Sequence, residues 1–190
     1  MGPNPTPLPV LTVQDKQTLL RLARQTLKDY LGSGSHPDLT TDVASLLQPR
    51  ATFVTLRRKD NGELRGCRGE VVARQSLIES VVHTTIASAT EDPRFMAVSL
   101  EEIPHVHIEI SALTPLAPIA PDSVVVGRHG LMIRKGPHAG LLLPQVPTAY
   151  GWNRDQFLNA LCDKAGLPRS AWKERGAELS AFEAEVWQEE

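Results

Sequence analysis

The chain has 190 residues, enough for one good core, or for one large lobe with a smaller one beside it. Hydrophobic residues make up 41%, and 20 basic against 22 acidic residues leave a net charge of -2, so no basic field exists to gather nucleic-acid phosphates. No apolar run is long enough to cross a bilayer, and the N-terminus lacks a basic region followed by an apolar core, which places the protein in the cytoplasm by default.

Residues 1–12 read as a flexible leader, since four prolines and a glycine fall in the first eleven positions. Thr12 is placed to cap a helix, with Asp15 three residues on. Leu20, Ala23, Leu27 and Leu31 then recur at helical spacing, and Gly32 to Gly34 close the helix. Phe53 to Arg58 has strand propensity, and Asn61-Gly62 is a turn signal. Leu64 to Val72 is expected to return antiparallel, although Gly66 and Gly69 weaken a strand and permit a bulge or a close backbone approach. Ser76 with Glu79 forms a second capping box, and the helix it opens stops before Asp92-Pro93, because proline disfavours helical geometry in its predecessor.

His105 to Leu113 alternates cleanly, with Val106, Ile108, Ile110 and Ala112 on one side and His105, His107, Glu109 and Ser111 on the other. Val124 to Val126, Leu131 to Arg134 and Leu141 to Leu143 read as short strands, and Leu142 to Pro147 as a rigid strand exit. Asn153, with Gln156 three residues later, caps a helix whose stripe includes Phe157, Leu158, Leu161 and Cys162. Ala181 to Trp187 reads as one last strand, with Phe182, Ala184 and Val186 inward. Hairpins and separated helices predict an α+β fold, a single compact unit with a mainly antiparallel sheet flanked by helices.

The chemistry concentrates at Arg65-Gly66-Cys67-Arg68-Gly69. Cations near a thiol favour its thiolate, and glycines free backbone amides to face an anion. Three readings stay open for Cys67: a small packed residue, a ligand contact, or a covalent nucleophile. His83 on the following helix and Glu109 in the strongest strand are candidate bases for it. Asp92 and Arg94 form a polar turn, in which Arg94 could bridge to Glu109 or to another carboxylate. Gln145 offers a donor and acceptors to a polar ligand. Cys162 falls in an apolar stripe and reads as core. Cys67 and Cys162 lie far apart, which argues against a disulfide, and no Cys/His cluster has structural-zinc spacing. Without a dinucleotide fingerprint either, the sequence implies no metal and no cofactor.

Several ordered blocks resemble one family: LRGCRG at 64–69, DPRF at 92–95, IEIS at 108–111, LLPQV at 142–146 and FEAEV at 182–186. Together they make residues 13–188 similar to the AMMECR domain. The resemblance implies a two-lobed α+β structure and a site at Leu64, Arg65, Gly66 and Cys67. It also implies a shared pathway with Memo-like and radical SAM proteins. Arg68 departs from the family pattern, which commonly has an apolar residue there. On these grounds an accessory or interaction role in a metabolite- or protein-modifying pathway stands slightly above the alternative. That alternative is a small-molecule enzyme using Cys67 as nucleophile or redox thiol, with Arg65 and Arg68 holding an anionic small molecule.

Overall fold

The computed structural model describes residues 10–190; residues 1–9, which hold most of the expected leader, lie outside the described residues. In chain order the elements are α1 (Val13–Ser33), α2 (Ala44–Leu47), β1 (Thr52–Arg58), β2 (Leu64–Gly69), α3 (Leu77–Thr90) and β3 (Val106–Leu113). There follow β4 (Ala117–Pro118), β5 (Gly130–Lys135), β6 (His138–Leu142), α4 (Gln145–Ala149), α5 (Arg154–Lys164), β7 (Glu178–Phe182) and β8 (Ala184–Gln188). The chain is α+β, and it divides into two compact units: residues up to Ala112 with Glu185–Glu190, and Leu113–Ala184.

Local chemistry sets the helix starts. Thr12, Ser76 and Asn153 each accept from the backbone amide three residues on, and Asp15, Glu79 and Gln156 reach back to the cap. Each box satisfies amides that a helix start otherwise leaves unpaired. Gly34 closes α1 in the left-handed region at φ 72°, where a side chain would be strained.

The first unit carries a four-stranded sheet in the order β2-β1-β3-β8, with β1 antiparallel to both β2 and β3. Val54, Leu56, Ile108 and Ile110 point to one face and are fully buried with Leu77 and Val81 of α3. Each such side chain stabilises by about 1.5–3 kcal/mol. Leu19, Ala23 and Leu27 of α1 join this core, while Leu20 and Leu31 are only partly buried, so the buried stripe of α1 is turned by about one residue from the sequence reading.

The second unit carries the sheet β4-β7-β5-β6. Leu131 and Ile133 of β5 meet Phe157, Leu158, Leu161 and Cys162 of α5 in its core. Three expectations fail here. Val124 to Val126 forms no strand, since a 3-10 turn at Pro121–Ser123 leads into it and Arg128 and His129 bond back to the carbonyl of Val125. Gln145–Ala149 is a short helix rather than part of an extended exit. The final strand is broken at Glu183, and its halves lie in different sheets. Phe182 is buried as expected, but Val186, beyond the break, is exposed.

Candidate functional site

Sheet register assembles the site. Thr55 of β1 stands directly opposite Cys67 of β2 and directly opposite Glu109 of β3. Residues opposite one another in an antiparallel ladder point to the same face, so Cys67, Thr55 and Glu109 form a row on the face turned away from α3. The row spans about 10 Å between its outer backbones. Thr55 Oγ1 donates to Cys67 Sγ at 3.4 Å. Cys67 and Glu109 are half-buried. The Glu109 side chain has no hydrogen bond or ion pair among the described residues, although its neighbour in the row, Thr55, is buried.

The turn after α3 frames one end of this row. Asp92 is buried, and its Oδ2 accepts from the Cys67 amide at 2.8 Å and from Arg94 Nη2 at 2.6 Å. Its Oδ1 accepts from Arg94 Nε at 2.9 Å and from the Arg94 amide at 3.1 Å. The hydrogen bond from the Arg94 side chain holds the Asp92 carboxyl well below the ordinary carboxylate range; burial opposes this, and the Cys67 and Arg94 amides reinforce it. Arg94 is pushed up in turn, first by its hydrogen bond to Asp92, and the shared Asp92 Oδ2 sets its guanidinium beside the Cys67 backbone. Arg94 therefore bridges to Asp92 and not to Glu109.

Arg65 lies on the same strand, two residues before Cys67. It is buried, and its Nε and Nη2 form a fork onto Glu102 at 2.7 and 3.0 Å, while Nη1 donates to the Met96 carbonyl at 3.0 Å. Both guanidinium groups stand against Phe95, with Arg94 at 5.5 Å and Arg65 at 5.9 Å from the ring centroid. The Arg65 side chain lowers the Glu102 carboxyl to about 2, against the opposing effect of burial. The expected anion ligand is thus already engaged. Arg65 braces the Asp92–Glu102 segment, and the anion held by the Cys67 amide is the protein's own Asp92.

Gly66 and Gly69 permit the close backbone approach. A Cβ on Gly66 would stand 2.1 Å from the Ser88 carbonyl oxygen, and one on Gly69 would stand 2.3 Å from the Phe53 ring. Between Leu56 and Arg57 the partners step from Gly66 to Leu64, so Arg65 is the extra residue of an irregular step directly beside Gly66. Strand alternation sends Arg68 to the opposite face from Cys67. There it lines a separate cleft of about 410 Å³ with the exposed His83 of α3. His83 makes no hydrogen bond to Cys67 and stands on the wrong side of the strand to serve it as a base. Gln145 is exposed at the start of α4, in the second unit. The first unit therefore brings together Cys67, Arg65, Asp92, Arg94 and Glu109. Sequence reasoning missed Thr55, which links the thiol to the carboxylate side of the row, and Glu102, which engages Arg65. Among the described residues, no group of three or more His, Cys, Asp or Glu side chains is arranged to hold a metal, and no helix is long and apolar enough to cross a membrane.

The AMMECR1 family profile matches residues 20–187. The chain belongs to the AMMECR1 family. Protein MK0488 of Methanopyrus kandleri is similar to this AMMECR1-family chain: it is 39% identical over 188 residues, covering 95% of this chain and 91% of its own. Protein PH0010 of Pyrococcus horikoshii is 38% identical, covering 95% and 94%. The crystal structure of that uncharacterized protein superposes with a TM-score of 0.85 at 39% identity, over 91% of this chain and 90% of the other.

Proposed function

We propose that this AMMECR1-family protein is a thiol-dependent enzyme acting on a small electrophilic metabolite in the reducing cytoplasm. The observation that carries the reading is the cross-strand row, with a hydroxyl donor on Cys67 Sγ at one end and the unpartnered carboxylate of Glu109 at the other. In the step that suits this geometry, Sγ forms a bond to an electrophilic carbon, and the displaced electron pair moves onto the acceptor atom bonded to that carbon. Glu109 takes the thiol proton, through water or substrate, and returns it to that atom. Thr55 orients the sulfur. Asp92 and Arg94 fix the strand amide and supply a nearby cation. Time-resolved iodoacetamide labelling across pH, read by peptide mass spectrometry, tests this. Cys67 is expected to label faster than free glutathione, and Thr55→Val and Glu109→Gln are each expected to change its rate. A rate equal to that of glutathione and indifferent to both substitutions overturns the proposal.

One observation favours a second, accessory reading. Met96 is 87% exposed and Leu100 is 50% exposed, and both flank the Arg65–Glu102 brace. Apolar side chains this exposed beside a structured turn suit contact with a Memo-like or radical SAM partner. Co-purification with each partner is expected to be lost in a Met96→Asp, Leu100→Asp variant. Failure of the unsubstituted protein to bind either partner rules this reading out.

A further inference from the structure

A groove of about 690 Å³ runs between α1 and β8 in the first unit, and neither the thiol row nor the turn around Asp92 enters it. Its helix wall extends from Val13 to Lys28, about 22 Å of helix rise. That length matches six or seven residues of extended chain at about 3.3 Å each. Trp187 lines the strand wall, and its Nε1 donates to the Lys16 carbonyl at 3.1 Å, tying β8 to the helix.

The strand wall has a free side. β8 is the last strand of its sheet, and among the described residues no strand pairs with its outer edge. The Glu189 amide, just past β8, donates to the Ile108 carbonyl of β3 at 3.0 Å. Backbone groups alternate along an extended chain, so the amides of Val186 and Gln188 point away from β3. An unpaired edge beside a helix is the geometry that accepts an added peptide strand.

The charges select the kind of peptide. Lys16 and Arg24 on the helix wall are held by Glu185 and Glu189, but Arg21 and Lys28 have no acidic partner among the described residues. Leu20 and Trp187 give apolar footing between the charges. Phosphodiester chains fit less well, because a nucleic acid has no backbone donors to complete a β-ladder.

We propose that this groove binds an extended acidic peptide segment of a partner protein, which pairs with the outer edge of β8 and sets carboxylates against Arg21 and Lys28. The site is independent of Cys67, whose side chain lies on the opposite face of the sheet from Trp187.

Fluorescence anisotropy tests the proposal with a labelled heptapeptide, Thr-Glu-Thr-Leu-Thr-Glu-Thr, and the full protein. Binding is expected at low salt and weaker as salt rises. It should fall by about tenfold or more for Arg21→Glu with Lys28→Glu, and by a similar factor for Val186→Pro, which removes an outward amide without touching the β3 ladder. Backbone N-methylation of the peptide asks the same question of the ladder should Val186→Pro fail to fold. No binding at low salt overturns the proposal. So does equal binding of the peptide with Lys in place of Glu, indifference to N-methylation, or preference for a single-stranded oligonucleotide of the same length.

Discussion

Cys67 and Cys162 have the same side chain in surroundings of different kinds. Cys162 is sealed among Phe157, Leu158 and Leu161, and burial pushes its thiol up. Cys67 is half-buried in a polar row, receives a hydroxyl hydrogen bond and sits two residues from the ion-paired Arg65. The apolar region seals its thiol from solvent, with only the backbone of Ala171 and Trp172 as polar company. The polar region holds it by directed contacts, each of which can be removed singly. A thiol in the first region is material for a core; in the second it is available for chemistry.

The largest expected effect is on the apolar side. Phe157→Ala should cost about 3–5 kcal/mol, measured by urea denaturation, because it opens a cavity in a fully buried cluster. Cys162 should then label faster while Cys67 labels at its former rate; equal acceleration of both would dissolve the contrast. In the unsubstituted protein, native-state iodoacetamide labelling of Cys67 should outpace that of Cys162 on the order of 100-fold, since Cys162 reacts only after local opening. Gly66→Ala should cost about 2 kcal/mol, because the new methyl meets a backbone carbonyl that cannot swing aside, and α3 must shift from β2. Thermal melts followed by circular dichroism check it.

Acid should affect the polar region selectively. The carboxyls of Asp92 and Glu102 are depressed when folded, so below their ordinary values of 3.8 and 4.5 the unfolded chain binds more protons than the folded one. Their stabilisation is complete above about pH 4.5. The Glu102 share fades as pH falls toward about 2, and the Asp92 share persists to still lower pH. Urea midpoints taken from pH 7 downward should show this loss, and Arg65→Met should flatten the part of the slope that belongs to Glu102. The smallest effect is expected from Thr55→Val, which keeps the volume but removes the donor at Sγ and should change the Cys67 labelling rate a few-fold. No change at all would leave the row a mere coincidence of register.

Much of this contrast is legible in the sequence. The three capping boxes at Thr12, Ser76 and Asn153, the alternation of β3 and the apolar stripe holding Cys162 all depend on neighbours in sequence, and all are present. The partnership of Thr55 with Cys67 depends on register. A two-residue turn at Asn61-Gly62 would set Leu56 opposite Cys67 and put a leucine in the row. The loop instead pairs Arg57 with Leu64, a register that carried on would set Val54 opposite Cys67, and the extra residue Arg65 shifts the ladder by one and brings in Thr55. Arg65 and Arg68 flank Cys67 in the sequence, but Glu102 claims Arg65 from 37 residues away and the strand turns Arg68 to the other face. Contacts that close over such distances leave no periodic trace in the chain.

The break at Glu183 has a consequence for biosynthesis. Because the first unit is completed by Glu185–Glu190, its sheet stays one strand short on the ribosome until the whole of the second unit has been translated. The second unit is contiguous and is free to settle while β3 still presents an open edge, so the order of assembly runs against the order of synthesis.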